Sequence, residues 1–378
     1  MTSVFRSATF RSLGVPVGAA AALLWSNLFA QSYFRIAHAL AFAVNDVGMA
    51  LFFALLTQEV LEATMHGGAL HTWRRAAVPI VAAIGGTIGA VVAYVAFVLG
   101  GDELVLLSGW PIVCAIDGGI AYLLVRVLIS NRGAAPFVFL MAIVSNAIGL
   151  TAISLHQHAG NIQPAGPLLI VVGSAVTVWL AQLKLRAIWP QVVIGGGLMW
   201  FGFWWTGLHP ALALIPIVPG LPRSPRRHTP FGAEPDHGAH DSSRHIEHAL
   251  WMPVQLILFL FAFVNAGVVV HGVERGAWAV TVGALVGRPA GMLAAVGVSL
   301  ACGLRLPSGV GWRELVVIAL AASCAFAFGL FFATSVFATG PVLTEAKVGT
   351  LATIGALVVA GTVAWLLGTG HREEPKVL

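Results

Sequence analysis

One acid, Asp117, stands inside a long apolar stretch, in Cys114-Ala-Ile-Asp-Gly-Gly-Ile-Ala-Tyr122. A charge at the centre of a bilayer costs about 2.5–3.5 kcal/mol on insertion scales, so a carboxylate there marks an ion path or a proton relay by default. Gly118 and Gly119 follow it directly. Glycines let a helix break, and a broken helix can line the route of an ion. A second glycine-interrupted stretch, Cys324-Ala-Phe-Ala-Phe-Gly-Leu-Phe331, offers Gly329 as a break at a matching position. Glycine also serves helix packing alone, the structural reading of the same residues. Arg288 is the basic residue expected to be left within the membrane. Read structurally, Asp117 and Arg288 would be a buried ion pair.

The elements that must hold these residues follow from composition. Of 378 residues, 58% are hydrophobic and 9% are charged. A soluble domain carries about 25% charged residues, so this chain reads as an all-α polytopic membrane protein. Its apolar runs are long rather than alternating, which argues against a transmembrane barrel. Twelve spans are expected, near 13–31, 38–62, 76–99, 110–129, 135–156, 165–183, 188–202, 204–219, 250–271, 278–302, 313–338 and 346–368. With the N-terminus inside, basic residues fall sixteen to three in favour of the cytoplasmic segments, as the positive-inside rule requires. Arg35, Arg275 and Lys347 are the three placed outside. The domain organisation expected is therefore a cytoplasmic tail at 1–12, eight spans over 13–218, a cytoplasmic loop at 219–248, four spans over 249–369 and a cytoplasmic tail at 370–378. The two glycine-interrupted spans sit seven apart, which gives the two triplets around them opposite orientation, the arrangement of inverted-topology repeats.

The loop is rich in His and Pro, and includes Glu247 and His248. Its spacings match no tight metal-ligand motif, so it reads as a flexible connection rather than a metal site or pH sensor. Cys114, Cys302 and Cys324 form neither a disulfide nor a zinc pattern and read as small buried residues. No phosphate-binding loop appears, and no nucleophile is paired with a base, so neither primary transport nor an enzyme is expected. The net charge of +5 follows from loop asymmetry and signals no nucleic acid. No cofactor is called for. Asn45 and Asp46 read as a cap for the second helix.

The chain resembles the NhaA-type sodium/proton antiporters of bacterial inner membranes along nearly its whole length. The resemblance rests on Asn45-Asp-Val-Gly-Met-Ala-Leu-Phe-Phe53 with Glu59-Val60, on Pro79-Ile-Val-Ala-Ala-Ile-Gly-Gly86, and on Ala115-Ile-Asp117. It continues through Thr206-Gly-Leu-His209, Glu247-His248, Phe261-Ala-Phe-Val-Asn-Ala-Gly267 and Gly287-Arg-Pro-Ala-Gly291. It implies twelve helices with the fourth and eleventh unwound and crossing, in inverted repeats of which that family is a known example. It implies transported Na+ or Li+ and H+, with an alkali cation at Asp117. It also implies a homodimer, although the external hairpin that serves dimerisation looks absent from the brief loop at 31–37. Glu59 and Glu62, with Glu247 and His248, match a cytoplasmic funnel or pH-sensing region, of which the basic half is missing.

At the ion site the resemblance places two adjacent aspartates where this chain has Ser145-Asn146, and a lysine where it has Arg288. Neither Ser145 nor Asn146 can take up a proton, and arginine keeps its charge where a buried lysine could lose it. Three readings follow. The chain exchanges Na+ or Li+ for H+ through Asp117, with Ser145, Asn146 and backbone carbonyls as further ligands, one for one and without net charge movement. Alternatively, the fold carries a neutral or anionic solute. In the third reading it is a sensor or partner protein that does not transport. Read structurally, Ser145 and Asn146 merely join helices, at about 0.6 kcal/mol per bond.

Overall fold

The computed structural model describes residues 14–64, 71–129, 133–157, 163–183, 190–220, 256–269, 272–307, 310–338 and 340–369. In chain order the first helices are α1 (Gly14–Leu28), α2 (Ala30–Phe42), α3 (Met49–Thr64), α4 (Trp73–Leu99), α5 (Gly118–Leu128) and α6 (Ala134–Gln157). They are followed by α7 (Ala165–Gln182), α8 (Gly196–Trp205) and α9 (Leu256–Ala266). The last are α10 (Arg275–Val282), α11 (Arg288–Ala301), α12 (Trp312–Ala321), α13 (Phe326–Val336), α14 (Pro341–Ala352) and α15 (Gly355–Leu367). Among the described residues there is no strand. Six stretches are long and apolar enough to cross a bilayer, or eight when each of two bent helix pairs counts as one span. The chain is thus an all-helical polytopic membrane protein.

Its residues fall into two compact units, Met1–Gln58 with Ser154–Val269, and Glu59–Ile153 with Val270–Leu378. In the first, the expected loop at 31–37 is helical. Only Phe29 separates α1 from α2, and Tyr33 and Ala37, one turn apart, bury one face of α2. Tyr33 anchors this stretch. Its hydroxyl donates to Phe263 O at 2.6 Å and accepts from Gly267 N at 2.9 Å, closing the C-terminal end of α9. Ser26 and the Asn27 amide donate to Val268 O just beyond. Tyr33→Phe is expected to leave a buried N–H without its acceptor, a loss of about 1–3 kcal/mol that a lowered Tm in detergent would report.

Asn45 and Asp46 do not cap a helix. They lie in a π-turn, Ala43–Gly48, within the continuous span Ala30–Gln58, and Asn45 exchanges amide hydrogen bonds with Asn265 at 2.8 and 3.2 Å. The expected span at 204–219 is not an α-helix but two 3₁₀ pieces, Pro210–Leu212 and Ile215–Gly220. Pro210, Pro216 and Pro219 lack the N–H groups an α-helix needs. His209 starts the first piece, its Nδ1 accepting from Ala211 N at 3.2 Å.

The second unit is organised by α4 and α11, which pack through glycine. A methyl group on Gly89 would strike the Gly287 carbonyl and the backbone of Gly291; one on Gly291 would strike the Gly85 carbonyl. Such close approach is the use membrane helices make of small residues. Gly291→Val is expected to force the pair apart and displace Arg288, one turn away. The overpacking costs about 1–3 kcal/mol, and both thermal stability and activity should fall.

Two spans of this unit are broken. In one, a 3₁₀ helix, Leu104–Cys114, gives way to unwound residues 115–117 and resumes as α5, with a bend of 53°. In the other, α12 and α13 meet at 46° across residues 322–325. Gly118 and Gly119 open α5 directly after the first break. Gly329 lies inside α13, one turn past the second break, with Thr350 and Ala325 where a Cβ would stand. Hydroxyls bond the backbone at that break. Ser323 Oγ donates back to Ala319 O at 3.0 Å, which loosens a helix end, and Thr353 Oγ1 accepts from Ala325 N at 3.1 Å. Cys114 and Cys324 are buried, whereas Cys302, expected inside, is exposed at the end of α11.

Candidate functional site at the two helix breaks

The site is built within the second unit. Asp117, 3% exposed, is the N-cap of α5, its Oδ1 accepting from Ile120 N at 3.1 Å. Its Oδ2 accepts from Ala327 N at 3.2 Å, in the first turn of α13. Its own N–H donates to Cys324 O at 2.9 Å. One carboxylate therefore ties the two breaks together and faces the positive ends of two half-helices. The Gly119 N–H also serves the carboxylate, so of its roughly four lone-pair positions about one is left for a proton or a cation.

Asn146 on α6 clamps the unwound segment. Its Oδ1 accepts from Ile116 N and its Nδ2 donates to Ile116 O, both at 2.9 Å. The residue before Asp117 thus finds through a side chain the pairing a helix would have supplied. Ser145 Oγ donates to Cys114 O at 2.7 Å. With its one hydrogen committed, Ser145 accepts from Thr87 Oγ1 at 2.8 Å and from Arg288 Nη1 at 3.2 Å, so its lone pairs are filled.

Arg288, 1% exposed, opens α11 directly after a π-turn, Gly283–Gly287. Its Nη2 donates to Val113 O and, at 3.1 Å, to Ala115 O. The guanidinium therefore closes the carbonyl end of the first half-span, while Asp117 closes the amide ends of the second halves. The two charges find different partners, each matched to the sign of the helix end it meets.

Other residues singled out from sequence lie elsewhere. Glu59 and Glu62 are on α3, their side chains outside the described residues, and Glu247 and His248 lie wholly outside them. Two buried residues were missed. Thr87 sits in Gly85-Gly-Thr-Ile-Gly89, where the glycines drew attention and the hydroxyl did not. Lys347, expected in an outer loop, is on α14 and 5% exposed. Its signal was Pro341, a residue suited to the first turn of a helix and therefore a start five residues earlier than hydropathy placed it. Among the described residues no group of His, Cys, Asp and Glu is arranged to hold a metal ion.

A chain so arranged has known counterparts. The model of the family described as Na+/H+ antiporter 1 matches residues 4–367. The Na(+)/H(+) antiporter NhaA of Geobacter sulfurreducens is 36% identical over 338 residues, covering 85% of this chain and 87% of that protein. The protein of the same name from Jannaschia sp. is 34% identical over 381 residues, covering 88% and 90%. Among solved structures, the sodium proton antiporter MjNhaP1 from Methanocaldococcus jannaschii at pH 8 is similar in fold, with a TM-score of 0.52 at 14% identity over 98% of this chain and 96% of that one.

Proposed function

This chain belongs to the Na+/H+ antiporter 1 family of secondary transporters, and from that membership we propose that it exchanges Na+ or Li+ for H+ at Asp117, one for one. The observation that carries the reading is the carboxylate itself, buried where the two broken spans meet and held there by backbone N–H groups of both. Neither Ser145 nor Asn146 has a proton to exchange, and both are committed to holding the unwound backbone. A proton on Asp117 and a cation beside it exclude one another, so each displaces the other as the site opens to either side of the membrane. Because both carry one charge, the cycle moves none. Ser145 and Asn146 act here as supports of the ion site, with Asn146 Oδ1 the one that keeps a lone pair to offer.

Twelve crossings in inverted repeats are part of the proposal. The eight spans that stand by length, together with the shorter apolar segments Gly14–Leu28, Gly196–Trp205, Pro210–Pro219 and Leu256–Ala266, support that number. We place both tails, 1–12 and 370–378, and the loop 219–248 on the cytoplasmic side of a bacterial inner membrane; those stretches lie almost wholly outside the described residues. A homodimer would have to form without an external hairpin, since α1 and α2 join at Phe29 alone. The alternative solute carrier and the sensor gain no support from the relatives. The test is reconstitution: sodium or lithium added to acid-loaded proteoliposomes should drive proton exit, and a pH-sensitive dye that records no response would end the proposal.

A further inference from the structure

The Arg288 guanidinium is surrounded by oxygen atoms of the kind that bind small cations. Val113 O, Ala115 O and Ser145 Oγ all point at the guanidinium, and Thr87 Oγ1 stands behind Ser145. Two are carbonyls freed by the unwinding of the chain. Freed carbonyls and a hydroxyl are the ligands with which proteins replace the hydration shell of a monovalent cation. Here the place is filled from within, by a charge on a side chain that cannot leave. Ala115 and Asp117 are two residues apart, at most about 7 Å of chain, so a cation held in the cage would share its surroundings with the exchanging carboxylate.

We propose that Arg288 is a tethered cation that occupies this oxygen cage and so sets the ion specificity of the site: the cage would bind Na+ or Li+ if the guanidinium were withdrawn, and its presence confines exchange to Asp117. The inference rests on the reading of Asp117 as the exchange site but is tested apart from it. Purified Asp117→Asn protein retains Arg288 and should bind no sodium. Arg288→Ala in that same background should bind one sodium per chain, with radiolabelled ²²Na+ retained at least tenfold above the background level of Asp117→Asn alone. Methylguanidinium should displace that sodium, since both would lie on the same oxygens.

Arg288→Lys with Asp117→Asn is the companion variant. An ammonium can serve the same carbonyls with its own charge, so this protein should bind sodium no better than Asp117→Asn. Sodium bound by the lysine variant as tightly as by the alanine variant would overturn exclusion by charge. So would an alanine variant that elutes as the wild type does on gel filtration and binds no sodium. Should the alanine protein not survive purification, its recovery in the presence of methylguanidinium but not choline is expected, and failure of both to rescue it would count against the cage. A wild-type protein that fails to exchange ions would leave all these binding results standing, so the two readings fail separately.

Discussion

Asp117→Asn is expected to abolish exchange while leaving the protein folded. Proteoliposomes carrying the variant should give the dye response of empty liposomes on addition of sodium or lithium, at any pH, where the wild type responds. The chemistry demands it: an amide takes up no proton and carries no charge to hold a cation. The fold should survive because the asparagine oxygen can still accept from Ile120 N or Ala327 N. One of the two N–H groups loses its acceptor, at about 1–3 kcal/mol, and the favourable meeting of a negative charge with two helix ends is lost as well. Thermal unfolding should therefore fall by a few degrees without loss of the monodisperse species. A variant that still exchanges would show that another group carries the proton, and Lys347, buried on α14, would be the first to test.

Much of this site could be read from the residues alone, for reasons that differ along the chain. The first break was legible because Asp117 is followed by Gly118 and Gly119, a helix cap and two residues of low helix propensity in sequence. At the second break the glycine misled. Gly329 serves the packing of α13 against Thr350, while the unwound backbone at 322–325 is met by Thr353, at the end of a different helix. No local pattern carries a bond between residues so far apart in sequence. Thr87 stayed hidden in the same way, since its role depends on Ser145 across a helix interface. The stretch 31–37 looked like a loop because Gln31, Ser32 and Arg35 are polar. What makes it a helix is the seat of Tyr33 against α9, a tertiary contact. Ser145 and Asn146 were legible as polar residues within a span, but not as clamps on the backbone of residues 114 and 116, because that backbone exists in the open only once the chain unwinds.

The clamp at Asn146 leads to the second large effect. Asn146 meets Ile116 with a donor facing a carbonyl and an acceptor facing an N–H. In Asn146→Asp one carboxylate oxygen keeps the N–H, and the other faces the Ile116 carbonyl with no hydrogen between them. Two acceptors cannot share that space unless a proton or a cation enters it. The variant should thus gain an obligatory second site for a proton or an alkali cation, one residue along the chain from Asp117. Two carboxylates that release two protons for each sodium move net charge, where the wild type moves none. Current on a sodium concentration jump across a supported membrane should be absent in the wild type and present in the variant. An imposed potential should bias only the variant, by about 2.3 kcal/mol per 100 mV for each net charge, roughly a fifty-fold change in the equilibrium gradient. Equal currents from the two proteins would mean that the wild type already moves charge. Exchange by Asp117 alone would then be the wrong stoichiometry, and the clamps at Ser145 and Asn146 would have to be reconsidered as ligands.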